Sequence, residues 1–214
     1  MFGLEFKIFQ FLVLIISVMV HEISHGYIAE KLGDPTARLA GRLTFNPVKH
    51  VDIFGSIILP LLLFLSNSPV MIGWAKPVPY NPYNLRDQKH GPLKVALAGP
   101  FSNIFLALFF GMLVRFGLGY LPIQLIWLLA IIVLTNISLG VFNLLPIPPL
   151  DGAQILTLLL PRRWTMAIEG IGFYGIIIIF AFIYLFSSVI NYIVINSFVI
   201  IVGNTVSRAL LGGS

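Results

Sequence analysis

The sequence predicts an all-α polytopic membrane protein: about five transmembrane helices, a re-entrant or sixth hydrophobic segment, and a small β-hairpin at the membrane surface. Three observations point there. Hydrophobic residues fill 58% of the 214 positions and charged residues only 10%, against roughly 25% charged in soluble domains. Several charge-free stretches approach the roughly 20 residues that a helix needs to cross a bilayer. The Lys and Arg residues collect in the loops between those stretches.

The elements follow in chain order. The first apolar segment, about 8–28, carries no charge from Ile8 to Val20. It runs on into "HEISHGYIAEKLG" and not into a small-residue cleavage pattern, so it reads as a membrane helix and not as a cleaved signal peptide. A polar loop, Gly33 to Asp52, contains short alternating pieces around Ala40-Gly41, which predict a β-hairpin over about 36–45. A second polar loop, Gly73 to Pro92, is rich in Pro and Asn and is expected to be irregular. Between them, Ile53 to Trp74 is apolar, with Pro60 inside and "SNSP" near its end. Two further spans are expected at about 95–117 and 122–145. The 38 residues between Glu169 and Arg208 are charge-free and would make one helix of about 57 Å. That length suits two crossings, a helical hairpin over about 169–208 with a turn near Ser187–Asn191. The whole chain, 1–214, is expected to form a single integral membrane domain with its core over about 8–155.

The net charge of +5 is read as a topology signal and not as a nucleic-acid surface, because Lys and Arg mark cytoplasmic loops. If 53–74 dips in and returns, Lys31, Arg38, Arg42, Lys49, Lys76, Arg86, Lys89, Lys94, Arg162, Arg163 and Arg208 share one side. Lys7 and Arg115 face the other. If 53–74 crosses, the charges split between both faces. The asymmetry favours the re-entrant reading, with both polar loops cytoplasmic.

The first helix ends in "HEISH". His21 and His25 are four apart and share a helix face, so both reach one metal ion, while Glu22 is offset by about 100°. This is the H-E-x-x-H arrangement, two imidazoles for zinc and a carboxylate for a water molecule. One charged group inside a hydrophobic helix costs on the order of 2.5–3.5 kcal/mol, so three such groups together need a shared reason. Catalytic zinc commonly takes three protein ligands. The sequence has no cysteine, so the candidates for the third are His50, His90 and the acidic residues. Asp151 is best placed, in "NLLPIPPLDG" (Asn143 to Gly152), where prolines break regular helix. Asp151 also reads as a helix N-cap for the residues after it, and His50 and His90 read as solvated or structural.

With these residues in view, the chain resembles the site-2 protease family of intramembrane zinc metalloproteases, in a compact form. The resemblance rests on "HEISH", "AGPFSN" (Ala98 to Asn103) and "NLLPIPPLDG", in that order over about 8–155. It implies one Zn2+ held by His21, His25 and Asp151, with Glu22 as catalytic acid/base, acting on a membrane-anchored protein substrate. It leaves no room here for the PDZ-like or CBS-like domains that many relatives carry. Asn103 or Asn143 is a candidate donor to the oxyanion or to substrate backbone; helix–helix hydrogen bonding is the plain alternative for both. The expected setting is the lipid bilayer of a prokaryotic cell membrane, multi-pass, with the site near the cytoplasmic side; a homo-oligomer is compatible with the sequence. Two competing readings are a membrane zinc-binding or transport protein and a zinc-dependent membrane amidohydrolase. Transport would need polar residues spaced along a path through the membrane, whereas Glu22 and Asp151 are expected at one level.

Overall fold

The computed structural model describes residues 4–66, 75–171 and 174–211. The chain divides into two compact units, Met1–Gly99 and Pro100–Ser214, taken here in turn.

In the first unit, helix α1 (Leu4–Lys31) turns an apolar face outward and buries Ser17, His21 and His25 among apolar residues. Leu4, Ile8, Leu12 and Ile16, spaced by four, are exposed, while Ser17, His21, His25 and Ala29, also spaced by four, are buried. An i, i+4 spacing keeps each set on one face. Gly26 marks where the helix meets the rest of the unit. A Cβ there would stand within 3 Å of side-chain atoms of Val78, Leu43 and Ala37.

The hairpin expected over 36–45 is not formed. Those residues hold a short helix α2 (Thr36–Leu39) and a turn at Ala40-Gly41, and no strand is present among the described residues. The reason lies just upstream. Asp34 accepts from the Thr36 N–H and hydroxyl, and Pro35 has the φ of a helix start. Gly41 then takes a positive φ of 63°, which ends the turn where a β-branched residue would be strained.

The apolar segment after this loop begins with a wide π-type turn over Ile53–Ile58, capped by Asp52 through the N–H groups of Phe54 and Gly55. It continues as α3 (Leu59–Leu65). Beyond Ser66, the "SNSP" return and the start of the second polar loop lie outside the described residues. The two ends of the segment are nevertheless joined. Lys76 donates its N–H to the carbonyl of His50 at 2.9 Å, and Arg42 Nη2 donates to the carbonyl of Lys76 at 2.6 Å. The chain comes back at residue 76 to the place it left at residue 50.

The second polar loop is less irregular than its composition implies. Asn81 caps a 3-10 turn over Pro82–Asn84, as Asn46 caps one over Pro47–Lys49. Fully buried Asp34 ties this loop to the first, accepting from Asn81 N at 2.6 Å and Asn84 Nδ2 at 2.8 Å. A small core of Ala29, Leu85 and Val95 with Ile28, Leu32 and Tyr80 completes the unit. Helix α4 (Gly91–Gly117) starts here and carries Pro100, whose missing N–H leaves one carbonyl of the preceding turn without its helical bond.

The second unit is built on α4, α5 (Ile123–Asn143) and α8 (Tyr174–Val202), with the shorter α6 (Asp151–Leu159), α7 (Arg162–Glu169) and α9 (Asn204–Leu211). Its core joins Ala107 and Val114 of α4, Ile126, Ala130, Val133 and Ile137 of α5, and Val194, Phe198 and Val202 of α8. Gly111 and Gly140 let these helices approach closely: a Cβ at Gly111 would collide with Ile201, and one at Gly140 would press on Ile104. Small residues at helix contacts are the usual device of membrane bundles.

Where two crossings with a turn at Ser187–Asn191 are expected, α8 consists of two helical stretches that meet at a kink next to that position. Phe186 leaves the helical region (φ −113°, ψ 17°), and helix resumes through Ser187–Asn191. No proline or glycine stands there to end it. The remaining length is taken up by Gly203, at φ 87°, and by α9.

Among the described residues, four helices are long and apolar enough to cross a membrane: Leu4–Lys31, Gly91–Gly117, Ile123–Asn143 and Ile177–Val202. Their outer faces are apolar, including Phe101, Phe105, Phe109 and Phe116 of α4 and Ile177, Phe180 and Leu185 of α8. Water would not tolerate apolar surface on that scale, and lipid favours it. The chain is an all-α integral membrane protein.

Candidate metal centre

His21 and His25 lie one turn apart on the buried face of α1. His25 Nδ1 is 2.7 Å from the carbonyl of Val95. A carbonyl only accepts, so Nδ1 carries the proton, and in the neutral ring Nε2 keeps its lone pair. That Nε2 is 3.1 Å from Nε2 of His21. Two imidazole nitrogens on one tetrahedral zinc, each at about 2.0–2.1 Å, would be roughly 3.3 Å apart. The pair therefore converges on one point with nearly the separation that zinc demands, and the Val95 carbonyl would supply the outer hydrogen bond that orients a histidine ligand.

Gly99 of α4 closes the other side of that point. A Cβ built there would stand 2.4 Å from His25 Nε2 and 2.5 Å from His21 Nε2. Glycine leaves free the volume in which an ion would rest. Glu22, beside the pair, does not join it: its Oε2 accepts the backbone N–H of Val78 at 2.9 Å. The residues present fit a zinc ion.

Asp151, Asn103 and Asn143 belong to the second unit. Asp151 is half-buried and is the first residue of α6, with Leu150 in the cap position and no side-chain cap bond from it. Gly152 next to it allows a sharp approach to the end of α5; a Cβ there would overlap the carbonyls of Leu144 and Leu145. Asn103 is fully buried and its Nδ2 donates to Asn136 Oδ1 at 2.9 Å, joining α4 to α5. Asn143 Nδ2 donates to the Leu139 carbonyl of its own helix at 3.0 Å. A role in holding substrate or an oxyanion requires either amide to exchange the partner it has here.

The two other histidines have separate duties. His50 is buried and donates Nε2–H to the carbonyl of Thr44 at 2.8 Å. His90 is exposed beside Asp87 at 3.4 Å. The contributions of Gly99 and Val78 are new. The first lies inside "AGPFSN", where its two small residues are a signal of close packing. The second is a backbone group, which no side-chain pattern reports.

The chain was compared with known proteins. The profile of Peptidase family M50 matches residues 120–186. The chain is 38% identical over 184 residues to the "Putative zinc metalloprotease YwhC" of Bacillus subtilis, covering 78% of this chain and 77% of that protein. This chain belongs to peptidase family M50, the site-2 protease family. It is also 31% identical over 157 residues to the "Putative zinc metalloprotease MJ0611" of Methanocaldococcus jannaschii, covering 71% of this chain and 73% of the relative. The "Putative zinc metalloprotease Rip2" of Mycolicibacterium smegmatis is 30% identical over 141 residues, 64% of this chain and 52% of that protein. No solved structure matches the chain.

Proposed function

We propose that this M50 protein is a zinc metalloprotease that cleaves peptide bonds in or near transmembrane segments of membrane-anchored proteins. The observation that carries the reading is the convergence of His21 and His25 Nε2 on a space kept open by Gly99, with Glu22 alongside. His21, His25 and Asp151 would hold the ion, one per chain; Asp151 is offered as third ligand on its place in "NLLPIPPLDG". Zinc supplies a more acidic water and a polarised peptide carbonyl when bound. Glu22 takes the proton of the attacking water and returns it to the leaving amine.

The site is proposed to lie near the cytoplasmic side. With four spans and with residues 50 and 76 hydrogen-bonded to each other, crossing order puts ten of the 13 Lys and Arg residues on one side. These are Lys31, Arg38, Arg42, Lys49, Lys76, Arg86, Lys89, Lys94, Arg162 and Arg163, leaving Lys7, Arg115 and Arg208 opposite. This count takes Ile177–Val202 as one crossing, which moves Arg208 to the other side relative to a five-span count.

The test compares wild-type protein, Glu22→Gln and Asp151→Ala on a membrane-anchored substrate. Wild type is expected to hold about one zinc per chain and to cleave. Glu22→Gln should keep the zinc and lose cleavage by roughly 10²-fold or more. Asp151→Ala should lose zinc. Full zinc occupancy in Asp151→Ala would remove it from the ligand set, and undiminished cleavage by Glu22→Gln would end the acid/base assignment.

A further inference from the structure

The short segment Lys76–Asn81, "KPVPYN", is tied down at three points. At its start, Lys76 is held through both of its peptide groups, by Arg42 on its carbonyl and by the His50 carbonyl on its N–H, at 2.6 and 2.9 Å. At its end, the Asn81 N–H is held by Asp34 Oδ2 at 2.6 Å. Arg42 and Asp34 are both buried. In the middle, the Val78 N–H meets Glu22 Oε2 at 2.9 Å, and the Val78 side chain is buried against Gly26, one turn further along α1.

Pro77 and Pro79 flank the donor. Neither has an N–H, and each fixes its own φ. Over those three residues the strap therefore offers Glu22 one donor, on a stiff backbone with both ends anchored. Such a build is out of proportion to the task of connecting a loop to α4.

We infer that the Val78 backbone N–H is a positioning group for Glu22. It holds Oε2 and so leaves Oε1 as the oxygen that takes the water proton and passes it on. This deepens the protease reading and rests on it. A carboxylate free to turn about its last torsion would face the water only part of the time. Small misplacements of a reacting group cost on the order of 10²-fold in rate. The strap removes that freedom with a donor that substitution of side chains leaves in place.

The experiment uses the full-length, zinc-loaded protein in lipid nanodiscs and has two arms. Hydrogen exchange reads the Val78 amide directly, because Pro77 and Pro79 contribute none. We expect it to exchange at least tenfold more slowly in wild type than in Glu22→Ala. Equal rates in the two proteins would overturn the inference. In the kinetic arm, Val78→Pro removes the N–H and Val78→Ala keeps it. We expect kcat of Val78→Pro to fall about 10²-fold below that of Val78→Ala, with KM within about threefold and zinc content unchanged. Equal kcat values would overturn it. Should Val78→Pro fail to fold, the exchange arm still decides. A wild-type protein that binds no zinc or cleaves nothing would sink the protease reading, while the exchange result would stay readable.

Discussion

At the scale of single residues, Gly99 is the glycine that bears directly on the histidine pair. The Cβ of any other residue would stand 2.4–2.5 Å from both Nε2 atoms, close to the 2.0–2.1 Å at which imidazole holds zinc. The added carbon and the ion would compete for one volume. Gly99→Ala is therefore expected to purify with less than about a tenth of the wild-type zinc, its helix content by circular dichroism unchanged. Wild-type zinc in that variant would show that the helices give way and that the cradle is not tight. His21, Glu22 and His25 were legible in the sequence because their spacing is a helical repeat and their polarity breaks an apolar run. Gly99 and Val78 were not, because one acts by lacking a side chain and the other through its backbone.

At the scale of elements, the long helices were legible from apolar length alone, and the polar loops were not. Their order comes from short caps. Asp34, Asn46, Asp52 and Asn81 each accept from backbone N–H groups nearby, and alternation of residue type carries no trace of that. Asp34 is the member with the most to lose. Burial pushes its pKa up, but bonds from the Thr36 hydroxyl, the Asn81 N–H and the Asn84 amide outweigh this and hold it below the ordinary 3.8. A depressed pKa adds stability that is complete above the unfolded value and fades as pH falls through the folded one. Thermal midpoints measured in detergent should therefore drop for wild type below about pH 4, and Asp34→Asn should lack that component. Asp34→Ala leaves buried donors unmatched at about 1–3 kcal/mol each, so its midpoint should fall at every pH. An Asp34→Ala protein as stable as wild type would mean that water replaces the carboxylate without cost.

At the scale of the whole molecule, the absence of cysteine makes topology directly measurable. Single cysteines at Lys49, Lys89 and Arg163 should react with an impermeant maleimide from the cytoplasmic side, and those at Tyr120 and Arg208 from the other. Cytoplasmic labelling at Arg208 would restore a fifth crossing and break α8 in two. The turn expected at Ser187–Asn191 falls beside the kink at Phe186; hydrophobicity counts length but does not say whether the chain turns back there. The hydrogen bond between Lys76 and His50 carries a consequence of a different kind. It pins residues 50 and 76 together, like the base pair that closes a stem. Changes of length within the described apolar segment Ile53–Leu65 need not shift the register of α1 or of the Lys76–Asn81 strap. Shortening or lengthening that segment should thus leave the zinc content where it was, because the bond that closes its base lies outside the change.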